Sequence, residues 1–297
     1  MTANSEPRAD ALINFIFDRL PVRGALLQLD EQWQRLHGQH DYSDIVRDLL
    51  GQTVAASAMI ASTMKFDGML TLQVQGKGAL GMLIAQCTES LHVRGMAGEL
   101  EPSAPAASFA DLVADGRLSL TVDAKDAKDR YQGIVELRPE SMASSLAAYY
   151  RDSAQLPAHF VLLGDAQRVC ALMLQRMPDA SGLQDDDWHR LCLMADTLTT
   201  EELAAGVSHG LLAKLFAEDD VRVFDARDVA FRCRCTTARA ERAVRMLGEQ
   251  DATALLAERD NRIEIVCEFC NRKRVLDAID VARLFNPAAI PTDAGVQ

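Results

Sequence analysis

Four of the seven cysteines in this 297-residue sequence stand in two close pairs, Cys233-Arg-Cys235 and Cys267-Glu-Phe-Cys270. Zinc takes four soft or borderline ligands at tetrahedral corners, and two short turns that each bring two thiolates together supply such a set. The stretch between the pairs, Thr236 to Val266, is long enough for a helical unit that folds back on itself. Cys233, Cys235, Cys267 and Cys270 are therefore the candidate ligands of one Zn2+. One pair alone would be a weak signal; two at this separation are a specific one.

Two readings of such a centre stay open. The segment Phe231 to Phe285 is about fifty-five residues, a size at which an apolar core alone is marginal, so the metal could simply staple the domain. Alternatively the knot is a switch. Thiolates held by zinc remain nucleophilic, and Arg232, Arg234, Arg272, Lys273 and Arg274 crowd them with positive charge that favours thiolate over thiol. An oxidant that converts one to sulfenic acid lets a neighbouring thiol close a disulfide. Structural zinc supplies roughly 10–16 kcal/mol of apparent folding free energy in small modules, so its loss would unfold this one.

Other residues carry less chemistry. Gly76-Lys-Gly78-Ala-Leu-Gly81 matches a dinucleotide fingerprint in letters, with Glu99 or Glu101 where a ribose-binding acid would stand. The context reads as a hairpin turn instead, because Met82 to Cys87 has strand character where the fingerprint needs a helix. The six histidines, His37, His40, His92, His159, His189 and His209, show no zinc-protease spacing. Cys87, Cys170 and Cys192 fall on apolar segments and read as small buried hydrophobes. No serine sits in a nucleophile elbow, and Asp185-Asp-Asp187 reads as a helix start. Nothing here points to a catalytic residue, so the chain is not expected to be an enzyme.

The bulk numbers agree with a protein of about two domains, 48% hydrophobic and 25% charged. No window approaches the apolar length of a membrane span, and Met1 to Asp10 lacks a signal-peptide hydrophobic region, which gives the expectation of a cytoplasmic protein. In that compartment thiols stay reduced, and an odd cysteine count speaks for metal or redox chemistry over a disulfide framework. The net charge of −12 disfavours a nucleic-acid partner. Phe231 to Phe285 nevertheless carries eleven Arg and Lys against nine Asp and Glu, so a nucleic-acid-binding zinc module is the alternative reading, and an enzyme with structural zinc a second.

The elements that must hold these cysteines follow from periodicity. Ala9 to Leu20 reads as a helix with one buried face, ended by Pro21, and Val22 to Leu29 as a strand. A polar loop near Gly38 to Asp44 precedes a long buried helix over Ser43 to Met64. Met69–Gln75, Ala79–Cys87, Leu91–Ala97, Leu118–Val122 and Tyr131–Leu137 read as strands, Ser141–Ser153 as a helix, and His159–Leu163 with Val169–Gln175 as a last strand pair. The expected fold is α+β, an antiparallel-rich sheet packed with helices. Pro178 to Asp187 punctuates the chain. From Asp185 to Phe216 apolar residues return at helical spacing, broken at Thr199-Thr200 and Gly206. Asn286 to Gln297 reads as a disordered tail.

In order along the chain, Val22-Arg-Gly24, Lys65-Phe-Asp-Gly68, Arg130-Tyr-Gln-Gly133, Leu174-Gln-Arg-Met-Pro178 and Asp225-Ala-Arg-Asp-Val-Ala-Phe-Arg232, followed by the two cysteine pairs, resemble the redox-regulated bacterial holdases of the 33 kDa chaperonin or HslO family. The resemblance implies a core domain over 1–178 that binds clients and dimerises, a helical regulatory linker over 179–230, a zinc-binding redox-switch domain over 231–286 and a tail over 287–297. It implies that the reduced, zinc-bound form is inactive. Oxidant with unfolding stress would release zinc, form the disulfides Cys233–Cys235 and Cys267–Cys270, and unfold the linker across Asp185 to Asp220. The implied partners are unfolding client proteins, a second copy of the active chain, and an ATP-dependent refolding chaperone that receives the clients; the holdase itself uses no ATP. The chain departs from the family at three positions. Asn271 stands where a glycine is common, and Arg274 and Leu276 stand where aromatics are. Asn tolerates the left-handed backbone, so the turn is expected to survive.

Overall fold

A computed structural model describes residues 7–100, 108–124, 131–178, 183–204 and 206–286. The elements in chain order are β1 (Ala11–Phe17), β2 (Val22–Leu29), α1 (Glu31–His37), α2 (Asp44–Ser62), β3 (Gly68–Gln75), β4 (Leu80–Thr88), β5 (His92–Glu99), α3 (Phe109–Val113), β6 (Arg117–Ala124), β7 (Tyr131–Glu136), α4 (Met142–Asp152), β8 (Ala158–Gly164) and β9 (Val169–Arg176). They continue with α5 (Asp185–Asp196), α6 (Thr200–Ala204), α7 (His209–Leu215), β10 (Val221–Val223), β11 (Arg227–Asp228), β12 (Ala230–Phe231), α8 (Thr237–Leu247), α9 (Glu249–Glu258), β13 (Arg262–Val266), β14 (Lys273–Asp277) and α10 (Ala278–Phe285). The class is α+β. The chain divides into two compact units, Met1–Arg232 and Cys233–Gln297.

The first unit is built on two six-stranded sheets. One runs β10-β1-β2-β9-β8, with β11 also paired to β1; the other runs β12-β5-β4-β3-β6-β7. All pairings are antiparallel except β12 with β5. Between the sheets lies α2, the long helix expected from its Ala- and Leu-rich sequence, buried at Leu50, Val54, Ala58 and Met59 among others. Its apolar residues share one core with side chains from both sheets. The expected single sheet is thus two.

The segment Ala9 to Leu20, read as a helix from its apolar spacing, is strand β1. The reason lies in the alternation of its contacts. Leu12 enters the core around α2, whereas Ala11, Ile13, Phe15 and Phe17 enter a second core on the opposite face. Its neighbours obey the same period: Ala25 and Leu27 of β2 face α2 while Val22 and Leu26 face away, and Ala171 and Met173 of β9 face α2 while Cys170 and Leu172 face away. A strand covered on both faces reads as a continuous apolar run, which periodicity cannot separate from a buried helix. Register adds a second constraint. Gly24 lies opposite Phe15, and a Cβ at Gly24 would fall 2.1 Å from Cζ of that ring.

The second core is closed by the segment after Pro178. Leu183, Leu191, Ala195, Leu198, Val207, Leu212 and Phe216 bury against the face presented by β1, β2 and β9. Polar clamps reinforce the seat. Arg190 forks onto Asp219 at 2.7 and 2.8 Å, Arg176 reaches Asp185 at 2.8 Å while lying 5.3 Å over the Trp188 ring, and His159 meets Asp196 at 2.8 Å. The acidic triplet Asp185 to Asp187 forms the first turn of α5, as its charge predicted. The chain then runs along two strand edges, β10 and β11 pairing with β1, and β12 with β5. The residues expected as a regulatory linker therefore cover one face and both of these edges of the first unit. The expected tail over 287–297 lies outside the described residues.

The second unit is small. Helices α8, α9 and α10 surround the β13–β14 hairpin, with seven buried apolar side chains, among them Val244, Ala252, Ile263 and Leu276, forming its core. Local signals fix the helix starts. Thr236 caps α8 through the Arg239 N–H, and Asp277 and Asp280 cap α10 reciprocally. Among the described residues, no helix is long and apolar enough to cross a membrane.

Candidate metal centre

An extended segment and a hairpin turn deliver the four thiols. Cys233 and Cys235 lie on the extended segment that leads into the Thr236 cap of α8. Cys267 and Cys270 lie in the turn of the β13–β14 hairpin, directly after the Val266–Lys273 pair. That turn is closed by three backbone bonds: the Cys270 and Asn271 N–H groups donate to the Cys267 carbonyl at 3.3 and 2.7 Å, and the Cys267 N–H donates to the Arg272 carbonyl at 3.1 Å. Closing it requires Asn271 to take φ of 50°, the left-handed region. The expectation that asparagine could replace the usual glycine there is met.

The sulfurs converge. All four lie within 4.8 Å of one another, with Cys233 Sγ 3.6 Å from Cys267 Sγ and Cys235 Sγ 3.5 Å from Cys270 Sγ. A tetrahedral ion with Zn–S bonds of about 2.3 Å sets its ligands about 3.8 Å apart, so this spacing suits zinc with little adjustment. The set is all sulfur and half-buried, which suits a soft or borderline metal and excludes calcium or magnesium. Among the described residues it is the one group of three or more Cys, His, Asp or Glu side chains that could hold an ion.

The thiols are not electrostatically equal. Burial pushes Cys267 up, but N–H bonds from Phe269 and Cys270 and contacts from the Cys233 and Cys270 thiols overcome it, leaving Cys267 below the ordinary thiol value. Burial dominates at Cys233 and Cys270, which are raised. What lowers Cys267 is thus backbone donors, rather than the cations that the sequence crowds around it. Two of those cations have other partners: Lys273 pairs with Glu264 at 3.0 Å, and Arg274 donates to Thr237 Oγ1 at 2.9 Å, tying β14 to the first turn of α8. Leu276, the other departure from an aromatic, is buried in the small core.

The remaining sequence candidates fall where the bland reading put them. Cys87 and Cys170 are buried, and Cys192 is half-buried; burial raises all three, Cys170 to about 12 and Cys192 to about 11. Gly76 to Gly81 form the β3–β4 turn, with the Gly76 N–H donating to the Gly81 carbonyl at 3.2 Å. Glu99 accepts from the Ser43 N–H and hydroxyl at 2.9 and 3.2 Å, and Glu101 lies outside the described residues. Sequence reasoning missed the edge strands β10 to β12, although the alternation in Val221-Arg-Val was a usable signal. It also missed the aromatic contact of Phe216 with Phe17, centroids 5.0 Å apart, which no local pattern announces.

Comparison with known proteins places this architecture. The family model described as Hsp33 protein matches residues 10–277. The 33 kDa chaperonin of Azotobacter vinelandii is 40% identical over 277 residues, covering 91% of this chain and 93% of that protein. The one of Methylobacillus flagellatus is 38% identical over 282 residues, covering 93% and 94%. The crystal structure of the 33 kDa chaperonin from Thermotoga maritima superposes with a TM-score of 0.81 at 20% identity, over 94% of this chain and 99% of that one. A family match over residues 10–277, with relatives 38–40% identical across more than nine-tenths of the chain, means that this protein belongs to the Hsp33 family.

Proposed function

We propose that this chain is a redox-regulated, ATP-independent holdase that binds unfolding proteins in the cytoplasm under oxidative and heat stress. One observation carries the reading. The polypeptide that covers the outer face of the β1-β2-β9 sheet and pairs with the edges of β1 and β5 is the same polypeptide that ends, after Arg232, at Cys233. On this reading the chain comprises a client-binding core over 1–178, a regulatory cover over 179–230 and a switch over 231–286.

In the reduced state Cys233, Cys235, Cys267 and Cys270 hold one zinc ion, which supplies folding free energy that a core of seven buried side chains cannot. Oxidation converts the four thiolates into two disulfides. Each S–S bond forms with loss of two electrons to one peroxide, which takes up protons and leaves as two waters. With its ligands consumed the ion departs. Pairing within each motif, Cys233–Cys235 and Cys267–Cys270, closes loops too short to constrain the unfolded unit much, so the bonds do not replace the metal. The close contacts Cys233–Cys267 and Cys235–Cys270 run across the motifs, so this pairing requires the thiols to be re-aimed as it proceeds.

Unfolding of the switch loosens β12 and the segment before it, which run directly into Cys233. When Leu183 to Phe216 leaves, Ile13, Phe15, Phe17, Leu26 and Leu172 become an apolar surface offered to clients and to a second copy of the chain. Bound clients pass to an ATP-dependent refolding chaperone, with no substrate turned over by this chain. The test follows aggregation of a thermally unfolded client by light scattering while a colour-forming chelator reports zinc. Reduced protein is expected to leave aggregation unchanged, and peroxide-treated protein to suppress it as zinc appears. Equal protection in both states would refute the switch.

A further inference from the structure

A cavity of about 200 Å³ lies in the first unit, between the two sheets and α4. Its polar end is Arg23 of β2. The Arg23 Nε donates to Gln175 Oε1 at 2.8 Å and Nη1 donates to the Thr63 carbonyl at 3.0 Å, both neutral acceptors. No carboxylate pairs with Arg23 among the described residues, although burial disfavours its charge. A half-buried guanidinium with neutral partners alone, standing at the end of a cavity, is offered to an anion. Three phenols line the same cavity. Tyr131 and Tyr149 hydroxyls lie 2.9 Å apart, so one donates to the other and a second O–H remains to donate. Tyr150 lines the cavity together with Arg23. The rest of the wall is apolar, from Leu120, Leu156 and Met64. Gly133 preserves the space: a Cβ there would stand 2.6 Å from the Tyr149 ring.

We propose that this cavity is a binding site for a small carboxylate with an apolar or aromatic body, the carboxylate on Arg23 and a tyrosine hydroxyl, and the body among Leu120, Leu156 and the phenol rings. The size fits: at about 30 Å³ per water the space equals roughly seven waters, which a benzoate or a short arylalkanoate fills. One guanidinium with two donors already used suits a monoanion, whereas a phosphate dianion needs more donors than the cavity presents. The half-exposed Tyr131 gives the ligand its way in. The site is independent of the thiol centre and of the holdase reading.

The test uses the full reduced protein, with 3-phenylpropionate as probe and 3-phenylpropan-1-ol as its neutral counterpart, titrated by calorimetry. Saturable one-site binding of the acid, about tenfold tighter than the alcohol, is expected, since a hydrogen bond to a charged group carries that discrimination. Arg23→Gln should remove that preference and leave alcohol binding in place. If that variant fails to fold, the wild-type Arg23 Nε–H resonance still decides, because it must shift on saturation with the acid and stay put with the alcohol. Absent saturation, equal binding of acid and alcohol, or a resonance that does not move would each overturn the site. Competition by inorganic phosphate at equal concentration would overturn the ligand class, and competition by a glutamate-rich peptide would overturn it in favour of a peptide side chain.

Discussion

The ring of Phe216, at the end of α7, meets Phe17 of β1 edge to face with centroids 5.0 Å apart, and it lies 5.9 Å from Phe15. This aromatic is the largest fully buried side chain that the cover contributes to the second core. Truncating such a ring costs about 3–5 kcal/mol. Phe216→Ala is therefore expected to loosen the cover without oxidant, so that reduced, metal-loaded protein suppresses client aggregation and amides between 183 and 229 exchange faster. Unchanged exchange together with unchanged aggregation would show that the cover is held elsewhere.

Removing one ligand tests the centre itself. Cys267→Ser leaves three thiols on a unit with a very small core, and the purified variant is expected to carry less than a tenth of the wild-type zinc, measured by atomic emission on reduced protein. Its second unit should lose the near-ultraviolet and amide dispersion of a folded domain, and its client protection should no longer respond to peroxide. Full zinc occupancy in Cys267→Ser would remove this residue from the ligand set.

Asn271 gives a finer probe, because the turn that aims Cys267 and Cys270 needs its positive φ. Alanine resists that conformation by about 1 kcal/mol, whereas glycine adopts it freely. Asn271→Ala is expected to weaken zinc retention against a competing chelator about fivefold, and Asn271→Gly to match or exceed wild type. The reverse order would mean that the asparagine side chain, not its backbone, holds the turn.

Thiol reactivity separates the two classes of cysteine. Burial raises Cys192 to about 11 and Cys170 to about 12, and raises Cys87 as well. At pH 8 the thiolate fraction of Cys192 is then roughly one part in a thousand, and lower for Cys170. In reduced, metal-loaded protein iodoacetamide is expected to leave Cys87, Cys170 and Cys192 intact by mass spectrometry, and to modify Cys233, Cys235, Cys267 and Cys270 within minutes once a chelator removes the metal. Because a raised pKa withholds the thiolate until higher pH, labelling of Cys192 should climb as pH rises toward 11. Rapid labelling of Cys192 at pH 8 would show that α5 is already detached in the reduced state.

What the sequence revealed and what it hid divide along physical lines. The convergence of the four thiols was legible because a site for a tetrahedral ion calls for close pairs along the chain, and the β3–β4 hairpin was legible because its residues alternate. Strand β1 was not, since both faces of Ala11 to Phe17 are covered and every residue is free to be apolar. Helix α1 escaped because it buries little beyond Trp33 and Leu36. The seat of Asp185 to Phe216 escaped for a different reason: its partners, Phe15, Phe17 and Leu172, are remote in the chain, and amphipathic spacing tells that a helix has a neighbour without telling which.

The two-sided burial of β1, β2 and β9 also limits how the protein can be shortened. A fragment ending at Pro178 would keep every strand of that sheet's centre and lose the one segment that shields it, so no quiet version of the platform exists. Cutting there would give a protein permanently adhesive to itself and to others, purified as oligomers or not at all.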